Sequence, residues 1–155
     1  ESMLVFAPHA NSWRRFASNS YAPVSPSWGV NNRSVALRLP AGAIPARRTE
    51  HRPAGVDANP YLVAATVLAG IRHGMANRID PGPETTGNGY ADGQDAPPMP
   101  VDWRGAIEAA KASAFLKDAL GEDMHRTFTA ILAAEYARVA RTVSEVDFDL
   151  YLHTV

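Results

Sequence analysis

Ala46-Arg47-Arg48-Thr49-Glu50-His51-Arg52 is the stretch of this 155-residue chain that says most about its fold and chemistry. In an extended strand the side chains alternate between faces, so Arg48, Glu50 and Arg52 share one face. A carboxylate flanked by two guanidinium groups stays ionised and fixed in geometry, which suits binding of a divalent cation together with anionic oxygens. The alternative interpretation is a surface ladder of cross-strand charges with no binding role.

The overall composition is that of an ordinary globular protein, with 46% hydrophobic and 20% charged residues. The length predicts one domain, or a large piece of one, with a real core. No apolar run approaches the roughly 18 residues that cross a bilayer, and the first residues lack the basic region of a signal peptide. Without cysteine there is no disulfide framework and no thiolate site. We therefore expect a cytoplasmic protein with no membrane partner.

The net charge of −1 hides an uneven distribution. Residues 1–60 contain seven arginines, three acidic residues and no lysine, so seven minus three gives +4, and −5 is left for the remainder. Arginine without lysine favours geometric recognition of carboxylate or phosphate over a diffuse field for nucleic acid. No basic helix face or aromatic-interleaved strand motif is present, so we expect no nucleic-acid partner.

Turn and capping residues predict an α+β chain with a helix-rich second half. The first 60 residues contain the arginine-rich strands and loops, and residues 61–155 are mainly helical around a Pro/Gly-rich loop at 80–101. The predicted elements are the end of a helix at 9–17, a loop at 18–31, strands at 33–39 and 46–52 with a turn at 40–45, a helix from Tyr61 to Ile79 capped by Asp57 or Asn59, helices at 102–112, 114–120 and 123–143, and a helical turn or strand at 146–152.

Five motifs occur in order along the first part of the chain. They are Asn11-Ser12-Trp13-Arg14-Arg15-Phe16, Tyr21-Ala22-Pro23, Asn32-Arg33-Ser34, the 46–52 stretch and Asp57-Ala58-Asn59-Pro60-Tyr61-Leu62. Together they resemble the C-terminal part of the catalytic domain of the glutamine synthetase family. Gly87-Asn88-Gly89-Tyr90-Ala91-Asp92 and the last helices continue the likeness over essentially the whole chain. The resemblance implies that residues 1–155 form a C-terminal fragment of that domain, with antiparallel strands packed against helices.

The resemblance implies that three arginines bind the amino-acid substrate. Arg15 and Arg52 match arginines that bind glutamate. Arg33 matches the catalytic arginine that lies between the γ-phosphate of ATP and the γ-carboxylate of glutamate, where it stabilises charge during phosphoryl transfer. In that mechanism the γ-carboxylate attacks ATP to give γ-glutamyl phosphate, and an amine then displaces phosphate.

The remaining matches concern ATP and its metal. Arg38 and Arg48 match arginines near the phosphates, as Arg33 does, and Glu50 matches a ligand of Mg²⁺ or Mn²⁺, hard cations that prefer oxygen. Arg33 and Arg38 lie five residues apart, so an ideal strand would direct them to opposite faces. A bulge or bend is needed to bring both to one site.

Two departures from the family pattern concern the amine. Tyr21, in the amine-site loop, stands where glutamine synthetases carry a glutamate that binds and deprotonates ammonium, and Pro45 stands where a lysine is expected. Both departures resemble the γ-glutamylpolyamine synthetase-like branch, which joins glutamate to larger amines. We therefore expect a polyamine or another organic amine as substrate; the alternative is a glutamine synthetase proper that uses ammonia.

The family's other metal ligands and its N-terminal domain have no counterpart in these residues. The expectation is a fragment that is inactive alone, taken from a ring-forming homo-oligomer whose sites lie between subunits. Two further alternatives stay open: a non-catalytic protein that binds a small anion, and an interaction fragment whose arginines serve subunit contacts.

Overall fold

The computed structural model describes residues 1–17, 20–91, 99–100 and 102–154. It confirms an α+β fold with helices and one small sheet. The elements are α1 (Met3–Phe6), a 3₁₀ helix (Ala10–Arg15), β1 (Trp28–Val30), β2 (Leu37–Leu39), a second 3₁₀ helix (Ile44–Ala46), β3 (Glu50–His51), α2 (Pro60–Asn77), α3 (Trp103–Ala112), α4 (Ala114–Leu120), α5 (Glu122–Ala140) and α6 (Glu145–Tyr151).

The sheet has the order β1-β2-β3 and is mixed, because β1 runs parallel to β2 and β3 antiparallel to it. β1 lies inside the segment that the sequence predicted as a loop at 18–31. In the register of β2 and β3, Arg38 lies opposite Glu50. The strand that carries Arg38 and the strand that carries Glu50 therefore lie side by side.

Both predicted strands are shorter in the structure than the sequence suggested. Residues 33–36 bend, because the Asn32 carboxamide oxygen accepts hydrogen bonds from both the backbone N–H and the hydroxyl of Ser34. Val35 and Ala36 are consecutive and both buried, which a half-buried strand does not allow. In the segment predicted as a strand at 46–52, a 3₁₀ helix that contains Pro45 ends at Ala46, and the strand begins only at Glu50.

The helices begin and end close to where their capping residues predict. The Asn59 side chain accepts hydrogen bonds from the first turn of α2, and Asp102 and Ser113 cap α3 and α4 in the same way. Gly121, with a φ of 81°, separates α4 from α5. The tail is helical, with a capping box between Ser144 and Asp147.

The core lies between α1 and the C-terminal helices. All four residues of α1 are buried, and they pack with residues of α3, α4 and α5 that include Trp103, Ile107, Leu116 and Leu132. None of the helices in the described part of the chain has the length and apolarity that a bilayer crossing requires. The predicted loop at 80–101 is free of helix and strand at 80–91 and 99–100, and residues 92–98 and 101 lie outside the described residues.

Candidate active site

Glu50, on the edge strand β3, forms ion pairs with two arginines. Its Oε2 lies 3.1 Å from Nη1 of Arg38, and its Oε1 lies 2.7 Å from Nη1 of Arg52. The hydrogen bond from Arg52, helped by the charges of both arginines, holds the pKa of the Glu50 carboxyl below its ordinary value. The Glu50 side chain is 32% exposed and each guanidinium-bearing side chain 17% exposed. The carboxylate is thus ionised, fixed in place and still open to solvent.

Arg52 also binds the loop that contains Tyr21, in addition to Glu50. Its Nη2 donates to the backbone carbonyl of Tyr21 over 2.7 Å. Tyr21 has a φ of 58°, in the left-handed region, and its side chain is 67% exposed. A single planar guanidinium therefore fixes both a carboxylate and the backbone of the loop, which is an arrangement that lysine could not provide.

Arg38 contacts Asn31, one of the residues that line a polar groove with Arg33. Nη2 of Arg38 donates to the Asn31 side chain over 2.8 Å. The groove has a volume of about 440 Å³ and is lined by residues 30–33 and 84–87, with Arg33 and Glu84 as its charged members. Residue 33 precedes β2 and residues 33–36 bend, so the two arginines do not lie on one regular strand. Arg38 is connected to the groove through Asn31, which lines it together with Arg33.

Arg15 contacts the backbone that follows β3. Its guanidinium donates to the carbonyl of Pro53 and, over 3.3 Å, to that of Arg52, and it lies 4.7 Å from the ring centroid of Phe16. Burial lowers the pKa of Arg15, and the nearby carboxylate of Asp57 acts in the opposite direction. Arg15 thus supports the strand end that carries Arg52.

Arg48 does not pair with Glu50, and the prediction that the two side chains share a strand face is wrong. Residues 47–49 are not part of a strand, which removes the alternation on which that prediction depended. Nη1 of Arg48 donates to the carbonyl of Ala46 over 3.4 Å. Within the described residues Arg48 forms no ion pair with Glu50, and Arg38 from the neighbouring strand takes that place.

His51 points away from Glu50, on the other face of β3, and packs against the core. Its ring centroid lies 4.3 Å from that of Phe6 in α1. Burial lowers the pKa of His51 to about 4, so the ring is neutral at neutral pH. Among the described residues its Nδ1 is buried without a hydrogen-bond partner. The alternating pattern predicted that His51 lies on the face opposite Glu50, but not that it contacts Phe6.

The described residues hold no group of three or more histidine, aspartate or glutamate side chains that could surround a metal ion. Glu50 is the predicted ligand, and its ionised oxygens fit the chemistry of Mg²⁺ or Mn²⁺. Both of its oxygens are engaged by arginines. The part of the chain that the structure describes therefore offers one carboxylate to such an ion, and not a complete site.

Sequence reasoning missed the contacts that hold the 82–90 segment against residues 28–34. Nδ2 of Asn32 donates to the carbonyls of Thr85 and Gly87 over 3.0 and 2.9 Å. The Ser34 hydroxyl accepts from the backbone N–H of Gly89 over 2.7 Å. These bonds join residues 53 to 55 positions apart, and no local pattern announces them. They position the loop that carries Arg33.

Comparison with known proteins identifies the family. Residues 1–151 match the family model of the glutamine synthetase catalytic domain. This chain belongs to that family. It is 39% identical to the γ-glutamylputrescine synthetase PuuA of Escherichia coli over 97% of this chain and 32% of the relative. It is 36% identical to the γ-glutamylethanolamide synthetase GlnA4 of Streptomyces coelicolor, over 91% of this chain and 28% of the relative.

A solved structure of the GmaS/ADP complex has the same fold. It matches with a TM-score of 0.82 and 28% identity, over 97% of this chain and 36% of that one. The chain thus spans about a third of the length of the relatives it matches. The arginines and Glu50 described above lie within the matched residues.

Proposed function

We propose that this chain provides the arginine-lined part of the active site of an ATP-dependent ligase. The enzyme would join the γ-carboxylate of glutamate to an organic amine through γ-glutamyl phosphate. The observation that carries the proposal is the pair of ion pairs from Glu50 to Arg38 and Arg52, beside a groove that contains Arg33. Arg52 also holds the backbone of the Tyr21 loop, a contact that a surface charge ladder would not need.

Substrate binding is assigned to the three arginines that lie near the strand ends. Arg33 would act as the catalytic arginine, because it lies in the polar groove, where it would stabilise the charge that develops when the γ-carboxylate attacks ATP. Arg52 would bind the glutamate carboxylate through donors beyond those that hold Glu50. Arg15 was predicted to grip glutamate directly; its contacts with the backbone after β3 support a role in fixing Arg52 as well.

ATP and its metal would lie on the side of Arg38. Arg38 and Arg48 are assigned to the phosphates, and the ADP that GmaS binds supports a nucleotide on this fold. Glu50 would be one ligand of Mg²⁺ or Mn²⁺, which would neutralise phosphate charge when bound. Since the described residues supply no other cluster, a protein restricted to residues 1–155 is expected to be inactive alone.

An organic amine, such as a polyamine, is the proposed second substrate. Tyr21 has no negative charge with which to hold ammonium, and its exposed side chain presents an aromatic face. Two similar proteins are named for putrescine and ethanolamide products. A cytoplasmic ring-forming homo-oligomer is the assembly that we infer for the whole protein, on family resemblance alone.

The proposal is tested on the natural protein, after its intact mass has been measured. We would incubate it with glutamate, ATP and Mg²⁺ and a panel of ammonium, ethanolamine, putrescine and longer polyamines, and detect ADP and the γ-glutamyl product by mass. Arg33→Lys is expected to lower kcat by about 100-fold, because one preorganised charge donor is displaced. Arg104→Lys, a change at an exposed arginine of α3, is the matched control.

Each outcome of this assay separates the candidate functions. Product with an organic amine at lower KM than with ammonium supports the proposal. Product with ammonium alone would identify a glutamine synthetase proper. Binding of glutamate or phosphate without metal and without ADP formation would overturn the ligase and leave a protein that binds small anions.

A further inference from the structure

Tyr90 reaches across the fold to the loop that contains Tyr21. Its hydroxyl donates to the backbone carbonyl of Ala22 over 2.9 Å, a contact between residues 68 positions apart. Ala22 is buried and is the direct neighbour of Tyr21. The loop is thus held at two successive carbonyls, because Arg52 binds that of Tyr21.

The conformation of the loop explains why it needs two such contacts. Tyr21 lies in the left-handed region, with a φ of 58°, which residues other than glycine, asparagine and aspartate adopt at an energetic cost. The Ser20 hydroxyl accepts from the N–H of Ala22, a local contact over 3.2 Å. The long-range bonds from Arg52 and Tyr90 approach the loop from different parts of the fold, so together they fix its orientation.

Tyr90 is itself held firmly enough to act as a support. The N–H of Gly89, its neighbour, donates to the Ser34 hydroxyl, and the N–H of Tyr90 donates to the Asn88 side chain over 3.0 Å. The Tyr90 side chain is half-buried, which restricts its rotamers. Its hydroxyl therefore occupies a defined position relative to Arg33, whose segment carries Ser34.

We propose that Tyr90 is a positioning residue for the amine: through the Ala22 carbonyl it sets the place of Tyr21 at the amine site. The inference rests on the proposed function and adds to it a residue from the Pro/Gly-rich loop. The Tyr90 hydroxyl binds the loop backbone, so its effect acts through the loop and falls on amine binding. Binding of ATP and glutamate depends on the arginines and is expected to be spared.

The test replaces only the hydroxyl. In Tyr90→Phe the KM for the amine is expected to rise about fivefold, the effect of losing one net hydrogen bond of about 1 kcal/mol, with KM for ATP and glutamate unchanged. Hydrogen exchange at residues 20–24 is expected to become faster. Tyr61→Phe is the matched control, because the Tyr61 side chain is 83% exposed. Both measurements use the natural protein.

The two measurements separate this inference from the proposed function. Unchanged exchange at residues 20–24 in Tyr90→Phe would overturn the positioning role, and so would equal rises in KM for all three substrates. If the unmodified protein joins no amine to glutamate, the proposed function fails. Exchange then decides alone whether Tyr90 holds the loop.

Discussion

Nη2 of Arg52 donates to the backbone carbonyl of Tyr21 over 2.7 Å, although 31 residues separate the two in sequence. Nη1 of the same guanidinium binds Glu50 at an equal distance. The proposed metal ligand and the proposed amine-site loop are therefore connected through one rigid, planar group. Removing this guanidinium should therefore disturb both of its partners, and this gives the first prediction.

Arg52→Lys is expected to impair binding of both glutamate and the amine. A lysine ammonium is a point charge and cannot bind Glu50 and the Tyr21 carbonyl with the same geometry. Losing these bonds should cost about 2 kcal/mol, or roughly 30-fold in KM for glutamate. Steady-state kinetics on the natural protein measure the effect. Arg14→Lys, at an exposed arginine that contacts Asn11, is the control, and an equal effect in both variants would contradict the prediction.

Glu50→Gln should weaken binding of Mn²⁺ by at least about tenfold, since the amide lacks the charge that a hard cation requires. The variant also leaves two partly buried guanidinium groups, those of Arg38 and Arg52, without their anion. The expected loss of stability is about 1 kcal/mol, because the carboxylate is partly solvated. Titration of activity with Mn²⁺ and the thermal midpoint provide the readouts.

Glu108→Gln supplies the comparison for this substitution. Glu108 lies in α3 and pairs with Lys111 on the surface. An unchanged Mn²⁺ response in Glu50→Gln would show that Glu50 is not a metal ligand. The arginines would then serve anion binding without metal.

The buried ring of His51 makes the free energy of unfolding dependent on pH. The pKa of His51 is about 4 in the fold and near 6.5 in the unfolded chain, so between these values only the unfolded state binds the proton. Stability is therefore full above pH 6.5 and falls as the pH decreases toward 4. The loss should amount to about 2 kcal/mol after allowance for the partial exposure of the ring.

His51→Phe should remove most of this dependence, since phenylalanine keeps the ring contact with Phe6 and does not titrate. Urea unfolding at pH 5 and pH 7 measures the difference. The window from 4.5 to 6.5 belongs to the histidine, because the lowered pKa of Glu50 affects stability only below it. His153→Phe is the control at an exposed position, and a pH slope that survives in His51→Phe would refute the assignment.

Local signals in the sequence were sufficient for the helices and for half of the site. Asn59, Asp102 and Gly121 act on their own backbone neighbourhood, so they fixed the helix limits to within a few residues. The same holds for Glu50 and Arg52, which lie two positions apart in sequence and form an ion pair.

The remainder depends on contacts between distant residues. Asn32 donates hydrogen bonds to Thr85 and Gly87. These bonds join the 28–34 and 82–90 segments, and no repeating pattern in the sequence predicts them. Long-range contacts also explain two other features that the sequence did not predict. Arg38, and not Arg48, pairs with Glu50, and Tyr90 supports the loop at Ala22. The strand extents and this part of the site could therefore not be predicted from the spacing of residues alone.

Gly89 lies where the 82–90 segment closely approaches Ser34, and a larger residue would not fit there. A Cβ built on Gly89 would lie 2.8 Å from the backbone oxygen of Ser34, and backbone cannot move aside as a flexible side chain would. Gly89→Ala should therefore lower the free energy of unfolding by about 2 kcal/mol. It should also loosen the 82–90 segment, with faster hydrogen exchange there than elsewhere.

Gly74→Ala, in contrast, is expected to raise the free energy of unfolding. Gly74 lies inside α2, where a Cβ would meet no described atom within 4 Å. Helix propensity then predicts a gain of up to about 1 kcal/mol. Thermal unfolding of both variants tests the close approach directly. If Gly89→Ala were as stable as the unmodified protein, the 82–90 segment would not be held against Ser34. The proposed support of the amine-site loop by Tyr90 would then be contradicted as well.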